Sequence, residues 1–207
     1  MAYHIVQFIR DYYPQYYSLH SYPAADCICI RGTKEEWGIL GNFGEADLVV
    51  KGTTFCNSEQ LYQMMGFTEV EPLKEIHSSR GMTIKMKSKK WRNNGHLRPD
   101  WGMMIVDAMK FCLMTKYEQC EDFRVELERT KGKTIVEDQT SFSKKTADTW
   151  GVKLVGDNYE GSNLLGRLLM ELRDNGHLEY NLPADSLDFI ERLKTGNTED
   201  DETTNPV

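Results

Sequence analysis

From Pro99 to Gln119 apolar side chains return every three or four residues, at Trp101, Met104, Ile105, Ala108, Met109 and Cys112. A run of that length and period predicts a long helix with an apolar face, and such a face folds only against other elements. Asp100 stands at its start, where a carboxylate suits the free amides and the helix dipole. The chain has 207 residues, 40% hydrophobic and 28% charged, enough for one well-packed globular domain around that helix. No internal repeat or Pro/Gly/Ser-rich linker divides it, so one domain over 1–195 is expected.

Other elements are predicted around this one. LVVKGTTF reads as strand, turn, strand with Gly52 at the turn; CICIRG and KTIVED read as short strands. Asn57 or Ser58 caps a helix carrying Leu61, Tyr62 and Met65, with Gln60 in a capping-box-like place. A third helix follows Gly161, with Leu164, Leu165, Leu168, Leu169 and Leu172 on one stripe and Gly176 as its stop. LPADSLDFIERLK reads as one more helix, with Pro183 near its first turn. The sum is an α+β domain, predominantly helical and compact.

Several function classes recede on composition. No stretch approaches the roughly 18–20 apolar residues of a membrane helix, and the N-terminus lacks a signal-peptide pattern, so a cytoplasmic location (nuclear in a eukaryote) is expected. The five cysteines, 27, 29, 56, 112 and 120, form no CxxC pair and have no metal-type spacing with the histidines, so reduced thiols and no metal or cofactor are expected. Cys112 falls on the apolar helix side, the usual place of a buried thiol. The net charge of −7 argues against a wholly electrostatic nucleic-acid binder. The segment Arg80 to Arg98 nevertheless holds Lys85, Lys87, Lys89, Lys90, Arg92 and Arg98 without an acid, and also Trp91. The end of the chain is the opposite, with four acids from Glu199 to Glu202, and 196–207 is expected to be a disordered acidic tail.

Four segments, in order, resemble the YbiA/NADAR family. GNFG, Gly41 to Gly44, resembles its SNF-type turn, with Asn42 and Phe43. NSEQLYQMMGF is similar to its T-x-E-H-x-x-Q-x-x-K helix, with Glu59 and Gln63 in place but Gln60 for the His and Gly66 for the Lys. DWGMMIVDAMKFCLMTKY aligns with the helix that opens on Asp-Trp and closes on Lys-Phe, here Asp100, Trp101, Lys116 and Tyr117. KTIVED, DTWG and EGSNLLGRLLMELR resemble the family's ending, with Asp148, Trp150, Gly151 and Asn163. The matches span roughly residues 37 to 173.

The resemblance implies a hydrolase of N-glycosidic bonds. One branch of the family is associated with phosphorylated ribosylamino-pyrimidines of riboflavin synthesis. Another, paired with ADP-ribosylating toxins, removes ADP-ribose from guanosine in nucleic acid. The second is the leading expectation here, with an ADP-ribosyltransferase toxin as the implied functional partner. The first is the alternative, and a non-catalytic ADP-ribose-binding module is a second alternative.

Cutting such a bond builds positive charge at C1 of the ribose, while the leaving nitrogen needs a proton. Glu59, in a first helical turn, is the expected carboxylate, with a dipole-complementing surface Glu as the plainer reading. Asp148 and Glu137 are candidates for a second acid. Lys85, alternating with apolar residues in TIKMK, is the candidate for an inward amine able to form an imine with an opened ribose. A solvated basic stretch is the commoner origin of such a pattern. The expected substrate-binding residues are Asn42, Phe43, Gln63, Trp101, Trp150, Gly151 and Asn163. Of these, Trp101 is equally readable as core, and Asn163 as an ordinary helix cap.

Overall fold

The computed structural model describes residues 4–141 and 149–202. The chain opens with α1 (Ile5–Tyr12), β1 (His20–Pro23) and β2 (Cys27–Ile30), then the hairpin β3 (Leu48–Val50) and β4 (Thr53–Phe55). Next come α2 (Ser58–Met64), α3 (Val70–His77), α4 (Met82–Asn93), α5 (Trp101–Gln119) and α6 (Glu121–Arg129). They are followed by β5 (Thr134–Glu137), β6 (Lys153–Val155), β7 (Asn158–Gly161), α7 (Leu164–Asn175) and α8 (Asp188–Glu202). The class is α+β with helix predominant, as expected.

The long periodic run is the central helix. α5 buries Trp101, Met104, Ile105, Ala108, Met109, Cys112, Leu113 and Lys116, and packs against α1, α2, α6 and α7. α7 lays its stripe Leu164, Leu165, Leu168, Leu169 and Leu172 into the same core and stops at Gly176, whose φ of 69° suits glycine. The β3–β4 hairpin turns through Lys51 and Gly52, both at positive φ (47° and 75°), the backbone pattern whose twist matches that of paired strands.

Three small sheets sit around the helices: β1–β7–β6 antiparallel, β3–β4 antiparallel, and β2–β5 parallel. In the parallel pair Ile30 lies opposite Glu137. The two strands therefore end side by side, and their next residues, Arg31 and Asp138, emerge at one mouth. Ligands of open parallel sheets bind at such carboxyl ends.

The structure departs from the expectations in four places. TIKMK is a helical segment within α4, not an alternating one. Asp100 makes no side-chain cap; its carboxylate instead pairs with Arg98 at 2.6 Å. The last helix begins at Asp188, because a turn in which Ser186 returns two hydrogen bonds to the Pro183 carbonyl comes first. It also runs on to Glu202, through residues 196–202 that were expected in a disordered tail. Its Gly196 lies so close to α3 that a Cβ there would stand 2.3 Å from Val70 Cγ1. Residues 203–207 lie outside the described residues.

Candidate active site

A cleft of about 790 Å³ opens at the end of the β2–β5 pair. Its walls are 30–33, the loop 38–47, the start of α2, the entry to α4 and residues 137–139. Five chain-distant segments thus converge on one space.

Glu59 sits at the bottom, in the first turn of α2, with its side chain only 3% exposed. Local sequence places it there. Asn57 Oδ1 accepts from the Gln60 amide (2.9 Å), the cap expected from the spacing, while Gln60 Oε1 accepts from the amide of Cys56 (2.9 Å), one residue before the cap. Gln60 Nε2 also donates to the carbonyls of Ile76, His77 and Ser79, tying α2 to the end of α3. The Glu59 amide donates to the Asn42 carbonyl at 2.9 Å, which sets the GNFG turn against the helix start. Gln63 Nε2 holds Glu59 Oε1 at 2.8 Å, and Gln63 itself accepts from Ser88 of α4.

Lys85 reaches the same carboxylate, with Nζ 3.6 Å from Glu59 Oε1 and 4.9 Å from the centre of the Phe43 ring. The amine is inward, as expected, but its side chain is 46% exposed, so it is not desolvated. It comes inward because the first turn of α4 borders the cleft.

Glu137 lies across from this pair. Burial pushes its carboxyl up; the charge of Lys85 opposes this, that of Glu59 adds to it, and a 3.1 Å hydrogen bond from Gln139 opposes it. Burial acts upward on Asp138 too, yet hydrogen bonds from Thr140, Arg31 (2.9 Å) and Tyr159 (3.2 Å) outweigh it and hold that carboxyl below its usual range. Adjacent residues of one strand end are thus driven apart: one toward a proton donor, the other toward an anion.

Of the residues singled out from the sequence, Asn42, Phe43, Glu59, Lys85 and Glu137 line the cleft. Gln63 works behind it, orienting Glu59 rather than meeting a ligand. Trp101 and Trp150 do not line it; they flank Tyr62, at ring-centre distances of 5.2 and 5.8 Å. Gly151 sits behind β5, where a Cβ would stand 2.4 Å from the Glu137 carbonyl oxygen. Asn163 is fully buried: Nδ2 donates to the Ile135 carbonyl (2.8 Å) and Oδ1 accepts from the Glu137 amide (3.2 Å). None of these four lines the cleft, where they were expected as substrate contacts: Gly151 and Asn163 back the end of β5, and the two tryptophans pack on Tyr62. Asp148 lies outside the described residues.

The basic segment is also reshaped. Trp91 is buried, donating to Glu75 at 2.7 Å, so its ring offers no stacking platform. Lys87 and Lys90 pair with the same Glu75, and Arg98 is buried between Asp100 and Asp185. A helix of period 3.6 sorts one basic run onto two faces, which a linear count of charges cannot see. Arg31, Arg80, Asp138 and Gln139 line the cleft without having been singled out. The signal for two of them was their place immediately after the TIVE strand. Arg31 likewise follows the CICI strand, and Arg80 opens the basic segment, but neither place says which charge meets the cleft.

Among the described residues no group of three or more His, Cys, Asp or Glu is placed to hold a metal, and no helix is long and apolar enough to cross a membrane.

Comparison with known proteins bears on this site. The family model of the NADAR domain matches residues 30–175. The N-glycosidase YbiA of Shigella flexneri (serotype 5b, strain 8401) is 29% identical over 147 residues, covering 71% of this chain and 86% of that protein. A riboflavin biosynthesis protein of Vibrio vulnificus is 29% identical over 164 residues, covering 77% of this chain but 41% of its own length. The NMR structure of Escherichia coli YbiA superposes with a TM-score of 0.57 at 27% identity, over 72% of this chain and 83% of that one.

Proposed function

We infer the function of this chain from its kinship: it belongs to the NADAR domain family and is a hydrolase of N-glycosidic bonds. The reading that the geometry supports best is cleavage between C1 of a phosphorylated ribose and an exocyclic amine. The observation that carries it is the Lys85–Glu59 pair, 3.6 Å apart, facing Glu137 in one cleft.

Each group then has a task. As the ribose ring opens, C1 becomes an imine carbon still bonded to the leaving nitrogen. In that opening the proton on the exocyclic nitrogen passes to the ring oxygen; Glu59 then takes a proton from the Lys85 ammonium, and the freed amine adds to C1 and passes one proton to the leaving nitrogen. Glu137, whose protonated form burial favours, donates a proton to the leaving nitrogen, and the C1–N bond breaks. Water hydrolyses the resulting Lys85 imine, freeing the sugar and the amine. Arg31 and Arg80, both on the cleft, suit the substrate's phosphates.

For the substrate we propose ADP-ribose on guanosine in nucleic acid. The cleft volume supports it, lying in the upper part of the roughly 300–1,000 Å³ range of small-molecule sites. Two arginines on one cleft also suit a diphosphate. The second reading, a ribosylamino-pyrimidine phosphate, is favoured by the name of the Vibrio relative.

The test is mass spectrometry on both substrates in parallel, with and without borohydride. Loss of ADP-ribose from the oligonucleotide, with a borohydride-trapped sugar on Lys85, is the expected result. Cleavage of the pyrimidine phosphate alone hands the case to the second reading. Turnover by Glu59→Gln at the wild-type rate removes Glu59 from the mechanism.

A further inference from the structure

Lys116 is a fully buried charge-bearing group that this chemistry leaves unused. It belongs to α5, has no exposed surface, and does not line the cleft. Its Nζ donates to the carbonyls of Ile39 (2.7 Å) and Gly41 (2.9 Å) and lies 4.9 Å from the centre of the Phe123 ring. Those carbonyls belong to the loop whose next residues, Asn42 and Phe43, face the cleft.

We infer that Lys116 is a positioning residue for the hydrolysis, fixing the loop on which the Glu59 amide and the Lys85 amine both rest. The path is short. Gly41 precedes Asn42, and the Asn42 carbonyl accepts from the Glu59 amide (2.9 Å) and the Ser58 hydroxyl (3.1 Å). The Phe43 ring lies under Lys85 Nζ. One amine behind the loop therefore sets both members of the pair.

The chemistry of the donor suits this task. Burial lowers its pKa to about 7, with the Cys120 thiol acting the other way. The amine carries a hydrogen for each of the two carbonyls with or without its third proton, so the anchor does not depend on the charge. The loop has little slack to replace it: a Cβ on Gly38 would stand 2.5 Å from the Thr33 carbonyl oxygen, and one on Gly44 2.7 Å from Ile39 Cα. It packs as one tight piece, which a single anchor can hold.

The inference rests on Glu59 and Lys85 acting as proposed above. The test is steady-state kinetics on whichever substrate is turned over, well below each variant's melting temperature. Lys116→Met keeps an unbranched side chain, one heavy atom shorter, and removes the donors; kcat is expected to fall at least tenfold while KM changes less than threefold. Phe123→Leu, which loosens the wall beside the amine, is expected to lower kcat a few-fold in the same way. Leu113→Ala, a fully buried change on the same helix, should lower the melting temperature and leave kcat unchanged.

Lys116→Met within twofold of the wild-type kcat overturns the inference. If that variant does not fold, Phe123→Leu decides, and it refutes the idea by behaving like Leu113→Ala. Should Glu59→Gln prove fully active, the mechanism fails first; an inactive Glu59→Gln beside an unaffected Lys116→Met sinks this inference alone.

Discussion

Replacing Asn163 by Ala separates a wall residue from a substrate contact. Asn163 holds the end of β5 by two buried hydrogen bonds, from Nδ2 to the Ile135 carbonyl and from the Glu137 amide to Oδ1. Alanine leaves both backbone groups without that partner, in a packed site where a Cβ on Gly166 would stand 2.2 Å from the Ile135 oxygen. Each buried polar group left unpaired costs about 1–3 kcal/mol. Asn163 also sits at φ 50°, where alanine adds about 1–2 kcal/mol and asparagine does not. The total, on the order of 3–8 kcal/mol, is a large part of the roughly 5–15 kcal/mol that holds a domain together. Asn163→Gly keeps the backbone conformation and loses only the two bonds, so it should cost about 1–2 kcal/mol less than alanine. The assay is the urea midpoint, read beside kcat and KM. A variant with the wild-type midpoint and a tenfold higher KM would falsify the reasoning, and would return Asn163 to the substrate contacts the sequence first proposed.

Two more expectations follow from the same wall. Glu137 keeps its proton above the usual carboxyl value of 4.5, so in that window the folded state binds more protons than the unfolded chain, and stability falls as pH rises through it. Activity should fall over the same window as the proton donor is lost; Glu137→Gln should flatten the stability curve and abolish that limb, and an unchanged pH profile counts against Glu137 as the acid. Gly151→Ala drives a methyl against the Glu137 carbonyl and should destabilise by about 1–3 kcal/mol; a thermal melt indistinguishable from wild type would mean the wall has more slack than the 2.4 Å approach allows.

What the sequence alone determined is what neighbours in the chain decide. The α5 and α7 stripes, the Asn57 cap with Gln60, the Gly52 turn and the Gly176 stop were all legible, because helix period, capping and positive φ are settled within a few residues. The motifs also placed Glu59 and the Asn42–Phe43 turn in one site, because the resemblance carries tertiary information that periodicity lacks.

Only the tertiary structure decided which polar residue faces the cleft and which holds it up. Trp101, Trp150, Gly151 and Asn163 share motifs with the site but do not line it, while Arg31 and Arg80 line it though neither was a candidate. Lys85 and Lys87 are two residues apart in one basic run, yet one meets Glu59 and the other Glu75. The direction of a side chain depends on the helix that carries it and on what that helix packs against, and both are fixed by contacts between residues far apart in the chain.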